Sequence, residues 1–434
     1  MNPFRVIVLG VFTFFIIFGV LVFSGFIPIG QGGAGTSSIG GTVTIWGTVP
    51  RDALGTPFDD FKRTHDPDFV VEYVERRTET FDRDLVEALA SGVGPDMILL
   101  SQDLIMRHAD KILPLPYESM TARQFTDAYI EEGEVYLTPE GILALPFTID
   151  PLVMYWNRDL FSSAGIAAPP QYWDEFFTVA PQLTKTDAAA NIAVSAVGLG
   201  EYRNIDHAKD ILALITIQAG NPIVEISPDG AVAVLASDRG LAVPPAESAA
   251  RFYTEFSNSA KPFYSWNRSL RGSKDLFIAG DLAVYFGYAG ERGEIADRSP
   301  HLNFDVALMP QIRDAAKKST FGALNGIAVL RVSRNPQTAF YAAFLLTGTD
   351  FIAQLAAANG MPAVRRDVLA ARPAEPYAQT FRDSALVSTA WLDPDPSATE
   401  GIFQELIESI VSGRRRISEA VDRADREISA LLAR

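Results

Sequence analysis

Gly141-Ile-Leu-Ala-Leu-Pro-Phe-Thr-Ile-Asp150-Pro-Leu-Val-Met-Tyr-Trp-Asn-Arg-Asp-Leu-Phe161 decides how the chain is read. Ile142 to Phe147 is short and apolar, with Pro146 near its end. Leu152 to Trp156 is a second apolar run, rich in β-formers. Both predict strands. Thr148, Asp150 and Pro151 fall between them. A buried strand that stops, exposes a carboxylate and restarts is the pattern of a chain crossing between two lobes. Downstream, Asn157 to Gly165 predicts a helix stopped by Gly165, Pro169-Pro170 a loop, and Trp173 to Leu183 another helix.

Upstream, Thr42 to Trp46 predicts a strand ended by Gly47, Asp52 to Arg63 a helix, and Phe69 to Val74 a strand. Thr78 to Ser91 predicts a helix with Phe81, Leu85, Ala88 and Leu89 on one face, and Met97 to Leu100 a third strand. This β-α-β-α-β order builds a parallel sheet. Ligands of open parallel sheets sit beyond the carboxyl ends of the strands, which here are Trp46-Gly47 and Ser101-Gln102-Asp103. Asp103 also suits a helix N-cap, because Leu104 to Ala109 reads as helical. Farther on, helices are expected at Ile205–Ala219, Ala246–Ser257, Leu270–Ala279, Asn335–Leu346 and Phe351–Ala358. Strands are expected at Asp281–Phe286, Asn303–Met309 and Asn325–Val332. Thr399 to Leu432 reads as two helices broken near Gly413, the last with Ile417, Val421, Ala424, Ile428 and Leu431 as its apolar stripe.

The 434 residues exceed one ordinary core and imply two or three domains. The formal net charge of −16, with no basic stripe, argues against nucleic acid as partner. With no cysteine there are no disulfides, thiolate metal sites, cysteine nucleophiles or acylated-cysteine anchor. His65, His108, His207 and His301 are scattered, and neither a G-x-S-x-G elbow nor a phosphate loop is present. Neither a cofactor nor a metal is implied, and the chain does not read as an enzyme.

Val6 to Gly30 carries no charge and is nearly all apolar. Roughly 20 residues span a bilayer core, so this run suffices for one transmembrane helix. Arg5 before it places the amino terminus in the cytoplasm and the body outside. A cleaved signal peptide cut near Gly32-Gly33-Ala34 is the rival reading. Gly30 to Gly41 reads as a flexible tether.

The spacing from Ala144-Leu-Pro-Phe147 through Asp150, Tyr155-Trp-Asn-Arg-Asp-Leu-Phe161, Ala164-Gly165, Pro169-Pro170 and Trp173-Asp-Glu175 resembles the signature of extracellular solute-binding proteins. These are the capture subunits of ABC importers, here in the sugar-binding group that includes maltose-binding protein. Leu89-Ala-Ser-Gly-Val-Gly-Pro-Asp96, Phe277-x-x-Gly-Asp-x-Ala-Val284 and Asn359-Gly-Met-Pro362 resemble further steps of the same pattern, with Val284 in place of a methionine. The resemblance runs from about Thr42 to the carboxyl terminus and thins between Asp187 and Pro245. The missing anchor cysteine, where Leu21-Val-Phe-Ser-Gly-Phe26 stands, is a departure from many of its members.

The resemblance implies an α/β, two-lobe periplasmic-binding-protein-like fold with a multi-strand hinge. Residues 42–148 and about 302–358 would form the first lobe, and 149–301 with about 359–434 the second. It implies capture of a small polar solute, a mono- or oligosaccharide, by lobe closure, and delivery to ABC permease membrane subunits. The expected ligand-binding residues are Trp46, Gln102, Asp103, Asp150, Trp156, Asp206 and Tyr288. Aromatic rings suit sugar C–H faces and carboxylates suit hydroxyls. Trp156 reads equally as core, and Trp391 as a surface-loop aromatic. Three other readings stay open on the residues alone: capture of polyamines by Asp103 and Asp150, a membrane-tethered sensor, and a glycosidase built on paired carboxylates.

Overall fold

The computed structural model describes residues 39–65, 69–227, 230–315 and 317–433. The apolar run Val6–Gly30 and most of the tether lie outside the described residues. The described chain forms two compact units. One comprises the residues up to Ser101, His108–Thr148 and Leu324–Ala370; the other comprises Gln102–Arg107, Ile149–Ala323 and Ala371–Arg434.

In the first unit, strand Gly41–Gly47 lies parallel to both Phe69–Glu75 and Met97–Ser101. Strand Thr320–Val329 closes this sheet antiparallel, pairing Asn325 with Ser101 and Val329 with Met97. The alternation in the first two strands buries Val43, Ile45, Val71 and Tyr73, while Met97–Leu100 is buried on both faces. Helix Arg51–Thr64 covers one face through Leu54, Phe58 and Phe61, and bends at Gly55, whose φ is 44°. Phe61 meets Phe351 of helix Thr349–Asn359 edge-on at 5.7 Å. Among the described residues no single helix is long and apolar enough to cross a membrane. The bent pair Pro336–Leu346 and Thr349–Asn359 comes nearest by composition, and its Phe340, Ala343, Leu346, Phe351 and Ile352 are buried in this unit.

In the second unit, strand Leu282–Tyr288 runs antiparallel to Leu145–Asn157, pairing Val284 with Trp156 and Tyr288 with Leu152, and parallel to Ile192–Val197. Strand Phe304–Ala307 pairs with the other edge of 154–157. The core is aromatic: Trp173 packs edge-on against Phe286 at 5.3 Å and Phe252 at 5.7 Å, and Phe176 against Phe286 at 6.0 Å. Trp173 Nε1 donates to Gln218 Oε1, and Gln218 Nε2 donates to the Pro310 and Ser319 carbonyls, so the buried indole and amide N–H groups are paired. Helices Ala208–Gln218, Pro245–Glu255, Pro396–Val411 and Ile417–Leu432 complete the unit.

The two short strands expected around Asp150 are one strand, Leu145–Asn157, uninterrupted by Pro151. Proline lacks an N–H but its fixed φ fits extended chain. The Pro151 carbonyl still accepts from Ala289 N at 3.0 Å, and regular pairing with 282–288 begins at the next residue. Asp150 is half-buried rather than exposed. Strand 320–329 begins five residues before the expected Asn325, because Thr320 and Phe321 pair with Ser388 and Thr389.

Candidate functional site

Tyr202, Arg203, Ile205, His207, Ala208, Lys209, Asp210, Glu400 and Gln404 line a cavity of about 410 Å³ in the second unit. Its floor is the loop leading into helix 208–218. Gly200 has φ +111°, and a Cβ there would come within 2.5 Å of Ser257 N, so only glycine lets the chain turn into this loop. His207 also takes a left-handed conformation, φ 59°, just before the helix. Glu400 and Gln404 lie one turn apart on helix 396–411, which puts both on one face.

Every charge around the cavity has a partner. Tyr202 donates its hydroxyl to Glu400 Oε1 at 2.7 Å; burial and that carboxylate both raise its pKa. Arg203 pairs with Glu408 at 2.7 Å. Lys209 Nζ donates to Asp393 Oδ2 at 2.7 Å and to Thr399 Oγ1 at 3.0 Å. Burial opposes the charge on Lys209, but Asp393 holds its pKa above the ordinary lysine value.

Behind the cavity sits a denser network. His207 Nε2 lies 2.6 Å from Glu291 Oε1, Tyr285 donates to Glu291 Oε2 at 2.6 Å, and the Tyr288 N–H donates to Glu291 Oε1 at 2.9 Å. Tyr288 reaches across to Asp210 Oδ2 at 2.8 Å. Burial works against the Glu291 charge, yet His207, Tyr285 and the Tyr288 N–H bring its pKa down to about 2. Burial likewise opposes the His207 charge, and Glu291 overcomes it, so His207 is raised. Asp210 is raised by burial, with His207, Lys209 and Tyr288 opposing. Asp150 Oδ1 accepts from Gly290 N at 3.0 Å. Burial pushes Asp150 up to about 7; the Gly290 N–H opposes this and the Glu291 charge adds to it.

Of the residues expected from sequence, Asp150, Asp206 and Tyr288 belong to this network. Asp206 Oδ2 accepts from Ser273 Oγ and Lys274 N, which ties the cavity loop to the start of helix Ser273–Ile278. Gln102 is 5% exposed and its amide donates to the Gly322 carbonyl at 3.0 Å. Asp103 Oδ1, by contrast, is buried and has no hydrogen-bond partner. Trp156 is half-buried and packs its ring edge-on against Phe161 at 5.2 Å. Trp391 is not a surface aromatic: it is 4% exposed, packed 6.0 Å from Phe403 with Lys209 above it. In the first unit, Trp46 carries the Arg76 guanidinium 3.7 Å from its ring centroid.

Sequence reasoning missed Arg203, Lys209, Asp210, Glu291, Glu400 and Gln404. The run Asp206-His-Ala-Lys-Asp210 before an apolar helix was a visible signal, since four polar residues there have no role in a core. Glu400 and Gln404 gave none beyond their spacing.

Comparison with known proteins accords with this architecture. A cyclic α-maltosyl-1,6-maltose binding protein from Arthrobacter globiformis superposes with a TM-score of 0.72 at 17% identity, covering 91% of this chain and 99% of its own. A cyclo/maltodextrin-binding protein complexed with maltotetraose gives a TM-score of 0.72 at 13% identity, covering 92% and 98%. An ABC transporter solute-binding protein from Thermotoga lettingae, bound with α-D-tagatose, gives 0.66 at 19% identity, covering 90% and 99%. At such identities the likeness establishes the fold, α/β with two lobes. A binding protein of Brucella abortus strain 2308 is 22% identical over 289 residues, 65% of this chain. The chain spans 66% of the length of the curated relatives it matches. Residues 47–348 match the model of a family of binding proteins rather than enzymes, and the chain is therefore a member of the bacterial extracellular solute-binding proteins.

Proposed function

We propose that this protein captures a saccharide outside the cytoplasmic membrane and hands it to the membrane subunits of an ABC importer. The observation that carries the reading is the cavity of about 410 Å³ in the second unit, walled by two carboxylates, an amide, an imidazole and two cations. Ligand pockets run from roughly 300 to 1,000 Å³ and orient their guests by a few placed polar groups. Here the polar groups are held by partners and present remaining lone pairs and N–H groups to the cavity, which suits hydroxyls that both donate and accept. Sugars bound by proteins of the same fold support this ligand class.

The amino-terminal run Val6–Gly30 fits a retained single-pass anchor, with the body extracytoplasmic and tethered by Gly30–Gly41. Isothermal titration of the full-length protein in a sugar-free detergent against mono- and disaccharides tests the function. Saturable binding with the sugar recovered unaltered is expected. Binding of none, or conversion of the sugar to product, would refute it.

A further inference from the structure

The wall of the second unit's cavity carries charges of both signs, and they are not equally engaged. Its three basic side chains each pair with a carboxylate that does not line it: Arg203 with Glu408 at 2.7 Å, His207 with Glu291 at 2.6 Å and Lys209 with Asp393 at 2.7 Å. Its two carboxylates, Asp210 and Glu400, are bonded by phenols instead. Tyr288 donates to Asp210 Oδ2 at 2.8 Å, and Tyr202 donates to Glu400 Oε1 at 2.7 Å. The second oxygen of each, Asp210 Oδ1 and Glu400 Oε2, takes no hydrogen bond from the described residues.

Two carboxylates on one small cavity repel each other. Asp210 is raised, chiefly by burial, and the Glu400 charge adds to this; His207 and Lys209 act through space in the opposite sense without cancelling it. The positive charges of the wall are already offset by Glu408, Glu291 and Asp393, so the groups left for a guest are two anionic acceptors. An ammonium has three donors and no acceptor, and its bonds to carboxylates are the charge-assisted kind. A cation in the cavity also relieves the repulsion between Asp210 and Glu400, which a neutral hydroxyl does not. Resting on the saccharide-binding reading above, we infer that the solute is an amino sugar with a free, protonated amine, and that Asp210 and Glu400 receive it.

The test is titration calorimetry on the full-length protein in a sugar-free detergent, at about pH 6.5 where a sugar amine is protonated. Four ligands are compared: a glucosamine disaccharide, its N-acetylated form, the neutral disaccharide of the same linkage and spermidine. The glucosamine disaccharide should bind at least about tenfold more tightly than the N-acetylated and neutral forms, the scale of one charge-assisted hydrogen bond. Glu400→Gln should shrink that preference, and Glu400→Asp, which keeps the charge, should retain part of it. On the unaltered protein, added sodium chloride should weaken the amino sugar and spare the neutral one, a readout that needs no variant. Equal affinity for the amine and either uncharged form, or a preference unmoved by both Glu400→Gln and salt, would overturn this inference and leave saccharide capture standing. Tighter binding of spermidine than of the amino sugar would overturn the assignment of the amine to a sugar. Binding of no saccharide at all would overturn both readings.

Discussion

His207 Nε2 and Glu291 Oε1 stand 2.6 Å apart, joining the cavity loop to the first turn of helix Glu291–Arg298. Their shifts define a pH window. Glu291 is depressed from 4.5 to about 2, so its contribution is complete above about pH 4.5 and is lost as pH falls toward 2. His207 is raised above 6.5, so its contribution is complete below about pH 6.5 and is lost as pH rises through the raised value. The pair therefore stabilises most between about pH 4.5 and 6.5. Glu291→Gln should cost about 2–4 kcal/mol in that window, because it strips His207, Tyr285 and the Tyr288 N–H of one shared anion. It should also lower the His207 pKa, read by NMR of the imidazole. An unmoved imidazole titration would contradict the pairing.

Asp150 works the opposite way. Its folded pKa, about 7 against an ordinary 3.8, means that ionisation opposes folding, increasingly so as pH rises from about 4 to 7. Asp150→Asn keeps an acceptor for Gly290 N while removing the charge. The variant should match the parent near pH 4 and melt at higher temperature at pH 7.5, by the equivalent of about 1–2 kcal/mol after allowing for half-exposure. Scanning fluorimetry across pH would show this; parallel curves for the two proteins would argue against the raised value.

Lys209 and Asp393 form the most enclosed ion pair described, with side chains 12% and 2% exposed. Lys209→Met leaves Asp393 buried without its cation, and should destabilise by about 3–5 kcal/mol. Adding Asp393→Asn should recover part of the loss, because the stranded charge goes with it. Urea unfolding of both variants decides the matter, and no recovery would mean that packing beneath Trp391, not charge, set the cost.

Gly200→Ala should cost about 1–3 kcal/mol, since it places a side chain at φ +111° against the Ser257 backbone. It should also weaken ligand binding more than its stability loss explains, because the loop it turns carries Tyr202 to Asp210. Equal effects on binding and melting would show the loop to be indifferent to its hinge.

Glu400→Gln and Gln404→Ala alter the cavity wall from an exposed helix face, so each should leave the melting temperature within a few degrees. Each should weaken saccharide binding by about tenfold, the worth of one hydrogen bond to the ligand. Unchanged affinity in both would move the binding site away from this cavity.

The strands and helices were legible where local pattern dictates burial. Phe81, Leu85 and Ala88 mark the buried face of helix Phe81–Ala90, and Val421, Ala424 and Ile428 that of the last helix. The continuity of strand 145–157 was not legible, because Asp150-Pro151 looks like a break in sequence and only pairing with 282–288 shows otherwise. The site was harder still. His207 finds Glu291 84 residues away, and Lys209 finds Asp393 184 residues away, so neither partner leaves a mark near the other. Trp391 misled for the same reason: Pro394 and Pro396 just after it suggested a surface loop, while in the fold it packs against Phe403 with the Lys209 ammonium above its ring.

Each unit is assembled from separated segments, and this has a consequence for synthesis. The second unit needs helices 396–411 and 417–432, and the first needs residues 324–370. Domains ordinarily acquire structure one after another as they leave the ribosome. Here the earliest strands wait for an antiparallel neighbour made more than two hundred residues later. Completion of the first sheet is therefore deferred until residues 320–329 have been made.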